Sequence, residues 1–180
     1  MIIDTMTCTV RQWKRLGAMF GGAEYADAPV DIERLLLDTA RQTPDNIRLL
    51  IMSMTWLAHY GHAVDDRRLG ELIREELSLS DQPIMGLMLE LARGHAVVPG
   101  DYFAAGIAAC QPASAEGAGP LSIVDQTPFL SNYVRERASA ESLRWGRWTE
   151  PFELKLRALR PAGWIFEHNP TLRRGAEDVE

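Results

Sequence analysis

The side chains that come closest to a chemical constellation are the histidines and carboxylates of residues 59–66. His59 and His62 stand three apart in HYGH, with Asp65 and Asp66 just behind. Two imidazoles and a carboxylate can hold a metal ion, so a small metal-dependent enzyme at His59, His62 and Asp66 is the chemistry this stretch would serve. Gly61 works against it, because a glycine there ends the helix carrying His59 and leaves the two rings free to point apart. No further His or Cys lies nearby, so the preferred reading places His59 on a helix face and His62 in a turn, with no metal or cofactor. The carboxylate pairs Asp65-Asp66 and Glu75-Glu76 are adjacent in sequence. Neighbouring residues diverge on a helix, and the first pair is explained by helix capping.

Motifs for other chemistry are missing. There is no G-x-S-x-G elbow, no phosphate loop and no G-x-G-x-x-G. Cys8 and Cys110 have no visible activating partner. A non-catalytic protein is expected.

Nucleic-acid binding has more candidates. Arg135, Arg137, Arg144, Arg147, Lys155, Arg157, Arg160, Arg173 and Arg174 interleave with Trp145, Trp148, Phe152, Trp164 and Phe166. Cations alternating with aromatics can hold a strand or a duplex backbone. The competing reading, which is preferred, puts the aromatics in a core with the arginine stems laid over it. Arg67 and Arg68 could grip phosphates from an earlier helix, and Gln82 is the one plausible base contact.

These residues hang on a helical frame centred on Pro44–Tyr60. Ile47, Leu50, Ile51, Met54, Leu57 and Ala58 share one face at helical spacing, and Leu49, Met52, Trp56 and Tyr60 cover much of another. A helix so apolar all round must be enclosed. Thr43 as cap, Pro44 as first residue and Asp45 at the positive end mark its start. A second helix follows Asp65, with Leu69, Leu72, Ile73 and Leu77 inward. A third runs from about Pro83 to Arg93 with Ile84, Leu87, Met88 and Leu91 inward, ending at Gly94. His95–Val98 reads as a short strand. Helix, glycine turn, helix, short turn, helix and strand over residues 45–98 resembles a winged helix-turn-helix domain in spacing. A plain three-helix bundle would give the same pattern. The resemblance implies duplex DNA as partner and the third helix as its reader. Asp81 at that helix's start would face phosphate with the wrong charge.

Around this middle, a helix from near Thr7 or Thr9 offers Val10, Trp13, Leu16 and Phe20 to a core, with Arg11, Lys14 and Arg15 opposite. Val30–Gln42 forms a helix with Ile32, Leu35, Leu36 and Ala40 inward and Asp31, Glu33 and Asp38 outward. Residues 101–110 suit a short, closely packed helix. Gln111–Pro120, rich in Pro, Ala, Gly and Ser, reads as a linker. A helix after Thr127-Pro128 turns Phe129, Leu130, Tyr133 and Val134 inward. Residues 152–159 alternate like a strand, yet Phe152, Leu156 and Leu159 also fit a helix; a short β-hairpin over 152–166 is preferred.

The expected fold is therefore mainly α: a compact multi-helix domain over 1–110 with a winged-helix-like middle, a linker at 111–120, and a small basic and aromatic C-terminal subdomain over 121–180. The chain of 180 residues carries net charge −6. Residues 1–130 hold −7 of it and residues 131–174 hold +4. An acidic body argues against tight non-specific nucleic-acid binding. With no secretory leader, no apolar run of roughly 20 residues and two cysteines without metal spacing, a cytoplasmic site is expected. Two roles are weighed, the first preferred on the helix-turn-helix resemblance. One is a regulatory protein on duplex DNA through Arg67, Arg68, Gln82, Arg144, Arg147, Lys155, Arg157 and Arg160. The other is an acidic helical adaptor that binds a protein partner through an apolar patch of Met85, Met88, Trp145 and Trp148.

Overall fold

Capping side chains set the starts of four of the helices. The structure, a computed structural model, describes residues 5–16, 30–96, 100–121 and 133–148. Its elements are α1 (Thr5–Arg15), α2 (Ile32–Gln42), α3 (Ile47–Tyr60), a 3-10 turn (Gly61–Ala63), α4 (Asp66–Glu76), α5 (Gln82–Gly94), α6 (Ala104–Ala109), β1 (Gly119–Pro120), a helical turn over 133–136, α7 (Ala140–Trp145) and β2 (Arg147–Trp148). The protein is mainly helical. Among the described residues the one sheet is a parallel bridge, with Gly119 opposite Arg147 and Pro120 opposite Trp148.

The Asp65 cap of α4 is as expected, its carboxylate accepting from the Arg68 amide at 3.0 Å. Asp31 caps α2 in the same way through the Arg34 amide. The start of α3 differs. Thr43 does not cap it: its amide and its hydroxyl both donate to the Thr39 carbonyl, at 2.9 and 2.8 Å. Thr43 is fully buried, so its hydroxyl is satisfied one turn back along α2 and closes that helix. Pro44 and Asp45 lie in the turn, and Asn46 is the cap, accepting from the Arg48 amide. Gly61 does not stop α3 through a left-handed residue either. Its φ of −56° continues the helix into the 3-10 turn. Glycine is needed there for space, because a Cβ would stand 2.8 Å from the tip of the Phe103 ring.

Helices α3 and α5 form the centre, with α2, α6 and α7 packed on them and α4 laid on α6 and α2. Leu49, Leu50 and residues 53–58 of α3 are buried. The central helix is thus largely enclosed, as its apolarity requires, by α2 before it and by α5 rather than by α4 just after it, and Ile47, Ile51 and Met52 stay partly buried. Each fully buried Leu or Met adds about 1.5–3 kcal/mol of transfer free energy. Two indoles dock α1: Trp13 meets Trp56 edge-on at 5.7 Å, the Trp13 Nε1 donates to Thr39 Oγ1, and the Trp56 Nε1 donates to the Leu16 carbonyl. The inward stripes of α2 and α4 are buried as expected. Glu33 is not outward as expected. It is buried because its carboxylate accepts from the Asp65 amide at 2.8 Å and pairs with Arg68.

Residues 111–120, expected as a linker, are held on both sides, and so is Leu121 after them. The Gln111 amide donates to Gln82 on α5, and the amides of Ala113, Gly119 and Leu121 donate to the carbonyls of Trp145, Gly146 and Trp148. Leu121 and Trp145 belong to the same core as α3 and α5. Tyr133 is 43% exposed rather than inward, its ring lying under the Arg137 guanidinium. Of the strand expected at 95–98, His95 caps α5 and Ala96 is not in a strand, while 97–98 lie outside the described residues. The 152–166 hairpin also lies outside them. Among the described residues no helix is long and apolar enough to cross a membrane.

Candidate functional site

The histidine–carboxylate set does not converge. His59 Nδ1 bonds its own helix at the Thr55 carbonyl, 2.8 Å away, and His62 is exposed in the 3-10 turn. Asp66 is turned onto α6, where its two oxygens accept from the Ala105 and Gly106 amides at 2.8 Å each. That capping explains why α6 packs so tightly on α4 at Gly70, where a Cβ would stand 3.0 Å from the Ala105 carbonyl. Among the described residues no group of three or more His, Cys, Asp or Glu stands together as metal ligands. Cys110 donates to the Gly106 carbonyl, and burial pushes its thiol up to about 12.

The residues expected on phosphates are mostly engaged within the chain. Arg68 donates twice to Asp31 and also to Glu33, and these bonds raise its own affinity for a proton while lowering the Asp31 carboxyl. Arg67 is exposed. Arg144 pairs with Glu90, Arg147 donates to the Ser80 carbonyl, and Arg135 lies 5.4 Å over the Trp148 ring. Lys155, Arg157 and Arg160 lie outside the described residues.

Gln82 is not placed to read a base. It is 6% exposed and bridges the Leu77 carbonyl to the Gln111 amide. The helix expected to read a groove has residues 82–89 buried without a break. The apolar patch is not on the surface either: Met85 and Met88 are fully buried, and Trp145 and Trp148 nearly so. The reason is the same for both corrections. Helix α5 is buried along residues 82–89, and residues 111–121 and 140–148 cover the side that α2, α3 and α6 leave open.

What the structure does bring together is one stripe of α5. Gln82, Gly86 and Glu90 follow at four-residue spacing and so lie in a row along the helix. Each meets the later chain. Gln82 holds Gln111. Gly86 faces the Trp145 ring, and a methyl group at Gly86 would overlap that ring. Glu90 accepts from the Trp145 Nε1 at 2.6 Å and pairs with Arg144, with Arg93 at 4.0 Å on the same carboxylate. The Glu90 side chain is only 11% exposed. A carboxylate this enclosed keeps its charge at acceptable cost only when paired and hydrogen-bonded. The indole and the guanidinium provide both. The arrangement is an acceptor beside a slot that one flat ring of the same chain fills.

Sequence reasoning missed Glu90 and Gly86. A trace of them was present, since a glycine and an acid four residues apart interrupt an otherwise apolar helix. No protein-family model, no curated protein and no solved structure matches this chain.

Proposed function

We propose that this chain is a non-catalytic, cytoplasmic helical adaptor or regulatory protein that binds a protein partner rather than reading DNA. The observation that supports this most is the enclosure of α5, the helix a winged helix-turn-helix would present to a groove, along residues 82–89. Base reading from that helix would require its covering segments to leave. The arginines that could hold phosphate are a second support. Arg68, Arg135, Arg144 and Arg147 all face groups of their own chain, and moving them to DNA would strip the carboxylates and carbonyls they satisfy.

Two measurements test the reading. Full-length protein titrated into labelled duplex DNA at low salt is expected to give no saturable binding. Binding that falls steeply with salt and weakens in Arg67→Glu would replace this reading with the DNA one. Tagged protein recovered from its native cells is expected to hold one stoichiometric protein partner through gel filtration at high salt. Recovery of the chain alone would overturn the adaptor role.

A further inference from the structure

The covering of α5 has a composition of its own. Elsewhere the core is aliphatic side chains with the Trp13–Trp56 pair and Phe103 among them, and the N–H groups of those two indoles meet a hydroxyl and a carbonyl, not a charge. Along the Gln82–Gly86–Glu90 stripe, an indole lies in a glycine gap, and its N–H and the preceding guanidinium both meet one carboxylate. The covering segment is short. Helix α7 has six residues and β2 two, and an isolated helix below ~12–15 residues is marginal in water. It is held by its contacts with α5, by the Arg147–Ser80 bond and by the three amide bonds from Ala113, Gly119 and Leu121. Its outer side is exposed at Leu143 and Arg144.

We propose that the Gly86–Glu90 stripe of α5 is a docking site for a basic peptide segment carrying an Arg-Trp pair, and that Arg144-Trp145 fills it in cis as a self-docked strap. The proposal rests on the adaptor reading and names the surface that reading requires. The occupant's chemistry follows from the one in place: a flat ring for the glycine gap, a ring N–H for one Glu90 oxygen, a guanidinium for the other. Charge favours the same class of partner. Residues 1–130 carry net −7, so a basic segment is drawn toward the body and an acidic one repelled. With the strap in place a partner must displace Arg144-Trp145. Opening therefore sets the apparent affinity.

The test uses the full chain with Trp145→Ala, which empties the ring slot, and a fluorescent peptide of residues 139–148 added in trans. Saturable binding is expected, at least about tenfold tighter than to the parent chain, whose site is filled. Adding Glu90→Gln or Gly86→Ala to the Trp145→Ala chain is expected to weaken the peptide at least about tenfold, as loss of a charge-assisted bond or of the gap requires. No binding to a folded Trp145→Ala chain, or binding indifferent to Glu90→Gln, overturns the proposal. If Trp145→Ala does not fold, amide exchange of the parent chain decides. The amides of Ala113, Gly119 and Leu121 should then exchange faster than those of α3, and Glu90→Gln should speed the first set alone. Exchange of both sets through one common opening overturns the strap. Failure of the peptide with a partner still recovered at high salt would remove this site and leave the adaptor role standing.

Discussion

Asp66 shows how a residue with chemical promise is used in the architecture. Its two oxygens hold two amides of a six-residue helix that could not form alone. Asp66→Ala is expected to cost about 1–2 kcal/mol, and Asp66→Asn less, because the amide oxygen keeps one acceptor. Urea midpoints at constant slope check both. Asp31 gives a pH signature. The Arg68 hydrogen bond holds its carboxyl below the usual 3.8, so the folded state binds this proton less readily than the unfolded chain. Its stabilisation is complete above that ordinary value and is lost as pH falls through the lowered one. Asp31→Asn should therefore be less stable than the parent at neutral pH, with the gap closing below about pH 4 in acid titrations. Cys110 works in the opposite direction. Its thiol, raised to about 12 by burial, favours the folded chain until pH rises past 9.0, where unfolded thiols ionise. At pH 8 a maleimide is expected to label exposed Cys8 and spare Cys110 until denaturant is added, which mass spectrometry reads as one adduct and then two.

At the scale of elements, the amphipathic helices were legible because their stripes are local. Leu69, Leu72, Ile73 and Leu77 fall on one face by spacing alone, and Asp65 marks the start of its helix as the cap just before it. The Thr43 cap was misread for a physical reason. A threonine before proline can cap the coming helix or bond back to the one just ending, and burial chose the second. For α5 the misreading was of another kind. The rule that an all-round apolar helix must be enclosed applies to Gln82–Gly94 as it does to Ile47–Tyr60. Applied there, it would have removed Gln82 from the base contacts and Met85 and Met88 from the surface. The covering stripe itself could not be read, since Gln82 and Gln111, or Glu90 and Trp145, are joined by tertiary contact across 29 and 55 residues. The burial of α3 makes a direct prediction. Leu57→Ala, at a core residue of α3 that is 1% exposed, should cost about 2–5 kcal/mol in urea unfolding, with the helical circular dichroism lost in one transition.

At the scale of the molecule, the mainly helical fold follows from stacking these stripes, and the charge imbalance between body and C-terminal segment is resolved in part by contact. Arg144 on Glu90 and Arg147 on the Ser80 carbonyl bring basic residues of the later chain onto the acidic body. The separation between Glu90 and Trp145 has a temporal side as well. At about 5–20 residues per second of synthesis, 55 residues take about 3–11 s. Throughout that interval a ribosome-bound chain shows a bare slot on α5 with Glu90 at its edge. Messages that stop before codon 140 would leave the slot open for good. Their products should clump, or be captured by chaperones, where the finished protein does not.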